Sequence, residues 1–105
     1  MAIYTIRVQR GGPWDWSLDM RKQAGWDEHA RFMDSLVDDG FTLLCGPLEG
    51  EREVLWIVEA DSEAAVCERL GEDPWAKNGM LRPTSVERWT IVLDGRAFTR
   101  ENSPG

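Results

Sequence analysis

Histidine and cysteine are scarce in this chain, and their scarcity argues against a metal centre. The 105 residues contain one histidine and two cysteines. Cys45 and Cys67 form no Cys-x-x-Cys pair, and a lone histidine cannot complete a zinc site of the usual kind. A glycine-rich phosphate loop and a recognisably spaced acidic metal cluster are also missing. We therefore predict no metal, no cofactor and two reduced structural thiols.

Long apolar runs are also missing, and acidic residues outnumber basic ones. The first apolar stretch, residues 2–8, is interrupted by Thr5 and Arg7, so neither a signal peptide nor a membrane span is predicted. The formal net charge of −7 opposes non-specific attraction to phosphate backbones and anionic membranes. We expect a cytoplasmic protein that binds neither nucleic acid nor membrane.

The hydrophobic periodicity that is present predicts an α+β domain. Alternating or continuous apolar stretches indicate strands, and apolar residues at three- and four-residue spacing indicate helices. The resulting order is βαββαβ, the ferredoxin-like arrangement of two helices on one face of a four-stranded antiparallel sheet. We place this domain at residues 1–95 and a polar, disordered tail at 96–105. The predicted strands are 2–9, 41–45, 53–60 and 85–93, and the predicted helices are 27–39 and 62–70.

A sheet covered on one side leaves its other face in need of a partner. Apolar side chains such as Trp56 and Trp89 cannot all point at the two predicted helices. A homodimer joined sheet to sheet buries them, so we predict a homodimer.

The segment 10–25 predicts a long loop. It contains several glycines, Pro13 and two tryptophans, Trp14 and Trp16, without a clean period. Tryptophans are costly to leave in water, and loops of this length in small domains usually fold over something. The covered surface is either the domain's own edge or a substrate, and the sequence leaves both open.

The only histidine lies on the apolar stripe of the first predicted helix. His29 shares a face with Trp26, Met33 and Leu36, so its ring should point inward and need a partner. Asp73, after the second predicted helix, is a candidate because both helices lie on the same side of the sheet. A carboxylate on one ring nitrogen fixes the tautomer and raises the basicity of the other. The alternative is a core histidine bonded to a backbone carbonyl, with Asp73 a polar residue before a helix-stopping proline.

Several short motifs, taken together in this order and spacing, resemble the YCII-related family of small dimeric α/β-barrel proteins. The resemblance covers roughly residues 2–93 and implies a ferredoxin-like protomer, a homodimer and a cleft holding a His–Asp pair, here His29 and Asp73. It also implies lyase or isomerase chemistry on a small molecule. The matching motifs are His29-Ala30-Arg31-Phe32-Met33 leading to Gly40, Gly46-Pro47-Leu48, Asp73-Pro74-Trp75 followed by Gly79, and Val86-Glu87.

Further residues are candidates for binding a substrate in that cleft. A guanidinium can hold a carboxylate or enolate oxygen through two hydrogen bonds, and Arg21 is preferred over Arg31 and Arg82 for this role. A glycine at 46 permits close approach of a ligand, although a plain strand-ending turn explains it equally well. The predicted substrate-binding set is Trp14, Trp16, Arg21, Gly46, Pro47 and Trp75.

Two functional hypotheses follow from these residues. In the first, the protein is a cofactor-free lyase or isomerase in which His29, oriented by Asp73, moves a proton on a small cyclic or aromatic substrate. In the second, the protein is a noncatalytic dimer that binds a small ligand in the same cleft or docks on a partner through its tryptophan-rich loop. Six tryptophans keep the second hypothesis open, since tryptophan is enriched at interaction hot spots.

Overall fold

A four-stranded antiparallel sheet with helices packed on one face forms the architecture of the computed structural model, which describes residues 1–96. The strand order is β2-β3-β1-β4. This order, together with the chain order of the elements, confirms the ferredoxin-like α+β prediction. The elements are β1 (Ala2–Arg10), a 3₁₀ turn (Met20–Lys22), α1 (Trp26–Asp38), β2 (Thr42–Pro47), β3 (Glu53–Ala60), α2 (Glu63–Leu70), α3 (Pro74–Lys77) and β4 (Leu81–Arg88).

The alternation of side chains along β1 decides which face of the sheet is covered. Tyr4, Ile6 and Val8 are buried, whereas Arg7 and Gln9 on the opposite face are exposed. In the antiparallel pairing with β3, the buried residues of β1 lie opposite buried residues of β3, so both strands present apolar side chains to the same face. These side chains meet those of the helices in one core. The main members of this core are Ile6, Val8, Leu36, Trp56, Val58, Val66, Leu70 and Trp75.

Both edge strands contain a proline, and the second strand was predicted to end before one of them, Pro47. The fourth strand was predicted over 85–93, but it begins four residues earlier and ends five residues earlier, so that prediction was wrong at both ends. Pro83 fits inside it because β4 is an edge strand and pairs with Val8 next to a register shift, where a missing N–H costs little. Similarly, β2 continues past the predicted 41–45 through Pro47, since β2 forms the other edge.

A third, short helix replaces the irregular stretch predicted after α2. The prediction treated Pro74 only as a residue that ends a helix, and that interpretation was wrong. Proline is equally suited to the first position of a helix, where its missing N–H has no partner to lose. Asp73 caps α3 by accepting a hydrogen bond from the backbone N–H of Trp75 at 2.9 Å. The Asp-Pro pair therefore starts a helix.

The loop between β1 and α1 packs on the domain itself. The buried Gln23 side chain holds it closed, since its amide donates to the carbonyls of Asp15 (2.6 Å) and Leu18 (3.1 Å) and accepts from the N–H of Asp15 (3.0 Å). Trp14 is buried and meets Trp75 edge to face, with 5.5 Å between ring centroids. The sequence left open whether this loop covers the domain or a substrate. Trp14 packs into the core of the domain itself.

The predicted polar tail falls almost entirely outside the described residues, which end at Arg96. The domain boundary at residue 95 accordingly stays a prediction. Within residues 1–96, no helix has both the length and the apolar character needed to cross a bilayer.

The tightest backbone approach in the fold gives a stability prediction. A Cβ placed on Gly11 would lie 1.8 Å from the carbonyl oxygen of Gly79, and the N–H of Gly11 bonds the Met80 carbonyl at 2.7 Å. Gly11→Ala should therefore lower the free energy of unfolding by about 1–3 kcal/mol, the usual cost of overpacking. Gly12→Ala is the matched control because a Cβ there meets no atom within 4 Å. Urea unfolding checks both, and equal midpoints for the two variants would contradict the assigned contact.

Candidate active site

The structure brings together the histidine and the aspartate that the sequence analysis paired. His29 lies in the first turns of α1 and Asp73 immediately precedes α3, and His29 Nδ1 is 2.9 Å from Asp73 Oδ1. Both residues are buried, with exposures of 7% and 2%. The same Oδ1 accepts the Trp75 N–H, so the carboxylate acts as an acceptor at this point. Nδ1 therefore carries the proton of the neutral ring, and Nε2 holds the free lone pair.

Aromatic side chains fix the plane of the His29 ring. Trp75 is fully buried and stacks on it with 4.0 Å between centroids and 9° between planes. The indole N–H of Trp75 donates to the Ala24 carbonyl at 2.9 Å, which holds Trp75 in turn. Gly25 begins α1 with φ +79, and a Cβ at that position would approach the Trp75 Nε1 to 3.2 Å. The imidazole therefore has little rotational freedom.

His29 forms part of the wall of a cavity between α1 and the β2 side of the sheet. The cavity has a volume of about 440 Å³, within the range of small-molecule sites. Among the described residues, Nε2 of His29 makes no hydrogen bond, so this nitrogen remains available. Most of the lining is apolar and suits a flat ring. The apolar lining side chains are Val8, Met20, Trp26, Ala30, Met33, Val37, Leu43, Leu44, Pro47, Val54, Trp56 and Leu81.

Arg10 is a polar residue of this cavity that sequence reasoning missed. It is 8% exposed, its Cζ lies 3.9 Å from the Trp14 ring centroid, and its Nε donates to the Glu51 carbonyl at 3.3 Å. Its Nη2 is buried without a partner among the described residues. The sequence indicates this inward orientation, because Arg10 follows Tyr4, Ile6 and Val8 at two-residue spacing and therefore lies on the same, buried face of β1. The predicted loop, however, began at Arg10.

The cavity offers no activated thiol. Cys45 is exposed as a whole residue, but it pairs with Trp56 on the helix-facing side of β2 and lines the cavity. Desolvation by burial raises the pKa of its thiol to about 12, against the opposing effect of Arg10. At neutral pH the group is therefore a thiol and not the nucleophilic thiolate. Within residues 1–96, His, Cys, Asp and Glu side chains form no group of three or more able to hold a metal ion.

The other predicted binding residues are spread over several places. Gly46 and Pro47 line the cavity, and Trp75 lies behind the His29 ring in the core. Trp14 is also in the core, where it supports Arg10. Trp16 is 61% exposed, and Arg21 is exposed beside a separate shallow depression that it shares with Asp27 and Arg31.

These elements define a small ferredoxin-like α+β domain with a buried His–Asp contact beside an apolar cavity. The family model of the YCII-related domain matches residues 7–90, which is most of the chain. The chain belongs to the YCII-related family, and the resemblance noted in the sequence is confirmed. A sequence comparison with curated proteins gives no match.

Among solved structures, the chain is similar to 5-chloro-2-hydroxyhydroquinone dehydrochlorinase (TftG) from Burkholderia phenoliruptrix, in its complex with 2,5-dihydroxybenzoquinone. The TM-score is 0.62 and the sequence identity 24%, over 83% of this chain and 93% of the other. At this identity the likeness establishes the shared fold.

The proton position on His29 can be tested directly because the chain has one histidine. Nitrogen-15 NMR at alkaline pH, where an imidazole ring is neutral, should show the Nδ1–H tautomer in the wild-type protein. Asp73→Ala removes the acceptor and should restore the Nε2–H form that predominates in free histidine. Glu72→Ala, which removes the neighbouring exposed carboxylate, should leave the spectrum unchanged. An Nε2–H form in the wild type would contradict the assigned hydrogen bond.

Proposed function

We propose that this protein is a cofactor-free lyase or isomerase that moves a proton on a small cyclic or aromatic substrate. His29 is the proposed base and acid, and Asp73 is its positioning residue. The observation that carries the proposal is the buried 2.9 Å contact between Nδ1 and Oδ1 in the wall of an apolar cavity. This arrangement leaves Nε2 as the acceptor for a substrate proton.

The reaction can be written with the groups that line the cavity. Nε2 of His29 takes a proton from an acidic C–H or O–H, and the electron pair of that bond moves into the substrate ring. In an elimination, a leaving group departs with its bonding electrons; in an isomerisation, the imidazolium returns the proton to another atom. Asp73 stabilises the imidazolium through Nδ1 and does not itself need to be protonated. Stacking on Trp75 keeps Nε2 in a fixed direction.

The fold neighbour agrees with this class of chemistry. TftG is named for the removal of chloride from a chlorinated hydroxyhydroquinone, and its structure holds a quinone ring. Its substrate is therefore a small oxygenated ring, and its reaction is an elimination. We carry over only the reaction class and the size of substrate, since the two chains share the fold at 24% identity.

A substitution of the histidine tests the proposal. His29→Gln should lower turnover by roughly 10²-fold or more, the usual contribution of a general acid–base group, with an unchanged circular dichroism spectrum. Chloride release from 5-chloro-2-hydroxyhydroquinone is the first assay, followed by other halogenated or hydroxylated rings. Glu28→Gln, an exposed neighbour on α1, is the control and should keep full activity. Full activity of His29→Gln would refute the catalytic role.

The second candidate function is noncatalytic binding in the same cavity. One observation favours it: Trp16 of the tryptophan-rich loop is 61% exposed, and exposed tryptophans are common at docking surfaces. Incubation of the wild-type protein with the same rings separates the two functions. A binding module returns the ligand chemically unchanged, and an enzyme does not.

We also propose a homodimer joined through the sheet face opposite the helices. Leu55 lies on that face beside Arg7, and Leu44 pairs with Ile57 at the β2 edge. Leu44 is 51% exposed, which leaves apolar area for a partner. A cytoplasmic location also stays a proposal, and the two free cysteines fit a reducing compartment.

Light scattering tests the dimer. The wild-type protein at micromolar concentration should have twice the mass of one chain. Leu55→Lys places a second cation next to Arg7 on the proposed interface and should shift the mass to that of a monomer. Val92→Lys introduces the same change at an exposed residue outside the sheet and should remain dimeric. A monomeric wild type would disprove the dimer.

A further inference from the structure

We propose that Arg10 makes the cavity beside His29 a site for an anionic ring, that is, a flat cyclic molecule whose ionised hydroxyl or carboxylate oxygen binds Nη2 of Arg10. This inference deepens the proposed function, since it takes from it the ring-shaped substrate and adds the charge that the ring carries. It depends on the binding geometry and not on the proton transfer.

The buried guanidinium of Arg10 carries a nitrogen without a hydrogen-bond partner within residues 1–96. Arg10 is more than nine-tenths buried, and its Nη2 has no hydrogen-bond partner among the described residues. A buried donor without a partner carries its full desolvation cost. Arg10 lines this cavity and also a second depression beside Trp16 and Arg52, and a ligand oxygen that reaches Nη2 from the cavity would remove that cost.

Arg10 has no carboxylate in direct contact within residues 1–96. None of the ion pairs within residues 1–96 includes Arg10, and the group that it bonds on Glu51 is a neutral backbone carbonyl. Burial lowers the pKa of Arg10, with Glu51 and Cys45 opposing the shift, yet a guanidinium remains charged at neutral pH. A buried cation of this kind is strongly stabilised by an anion, because screening by water is weak there.

The guanidinium of Arg10 is held in place by contacts within the protein, before any ligand binds. Trp14 lies under it at 3.9 Å, and the 3.3 Å bond to the Glu51 carbonyl fixes Nε. These contacts use the ring-facing side and the Nε edge of the guanidinium, whereas the buried Nη2 makes no hydrogen bond among the described residues. Preorganisation of this kind lowers the entropic cost of binding.

Arg10 and His29 line the same cavity, so one ligand can contact both residues. Cys45 also lines this cavity. A ring whose oxygen binds Arg10 can therefore present another atom to Nε2 of His29. When His29 removes a proton from another atom of the ring, the electron pair of that bond moves into the ring, and the positive charge of Arg10 beside the ring stabilises the added negative charge.

Among the residues that line this cavity, Asp34 is the one carboxylate that opposes an anion. Asp34 lines it from α1, but Asp34 is exposed and its charge is screened by solvent. The buried positive charge of Arg10 therefore affects an anion in the cavity more strongly than the exposed negative charge of Asp34 does.

Binding measurements with two matched probes test the inference. The acidic probe is 2,5-dihydroxybenzoquinone, which is ionised at neutral pH, and the neutral probe is its dimethyl ether. All proteins carry His29→Gln, so that no turnover interferes, and calorimetry gives the affinities. The acidic probe should bind more tightly than the neutral one, and Arg10→Met should weaken it by roughly 10- to 100-fold, the effect of losing a charged hydrogen bond. The neutral probe should be unaffected.

Arg7→Met is the matched control. Arg7 lies on the same strand but on the opposite face, half exposed and paired with Glu53, so its loss should leave both affinities unchanged. Equal affinity for the acidic probe in Arg10→Met and its parent would overturn the inference, as would a parent that binds neither probe or prefers the neutral one. If Arg10→Met fails to fold, Arg10→Lys, which keeps the charge, and the comparison of the two probes in the parent decide the matter.

The outcome for catalysis is separate. Full turnover in His29→Gln refutes the proposed function, yet an Arg10-dependent preference for the acidic probe would still stand. Conversely, loss of turnover in His29→Gln together with no effect of Arg10→Met would refute the anion site alone.

Discussion

One carboxylate oxygen, Oδ1 of Asp73, connects the helical layer of this protein to its candidate chemistry. It accepts the backbone N–H that starts α3 and the Nδ1–H of His29 on α1. Trp75, whose N–H is the first of these donors, stacks on the imidazole that supplies the second. The start of a one-turn helix and the orientation of a histidine therefore depend on the same atom. Local stability and ring orientation cannot be altered independently at this position.

Much of the fold was predictable because its elements follow simple periodicities. The alternation along β1 and the apolar stripe of α1 each have one dominant physical cause, the burial of one face. The errors came from proline, whose local meaning is ambiguous. Pro74 starts a helix and Pro83 lies within an edge strand, and only the position of each in the finished fold distinguishes these roles from a stop.

The candidate site was predictable where a polar residue is rare in the chain and lies on an apolar face. His29 stood out as the only histidine and lay on an apolar face. Asp73 was a candidate partner from its place after the second predicted helix, and the family resemblance implied the same pair. Arg10 escaped notice because arginines are common and the following glycines marked a loop. Arg21 was preferred for its place in that loop, but loop residues have no periodicity from which their direction can be read, and the structure places Arg21 beside a different depression.

The prolines of the two edge strands also bear on how copies of this chain meet. An edge strand presents a row of unpaired N–H and C=O groups to which a strand of another molecule can add. Pro47 and Pro83 each remove one donor from such a row, on β2 and β4 respectively. Lateral growth of the sheet from molecule to molecule is thereby discouraged at both ends. Contacts through a face, which close on themselves after two copies, avoid the open-ended fibres that edge pairing permits.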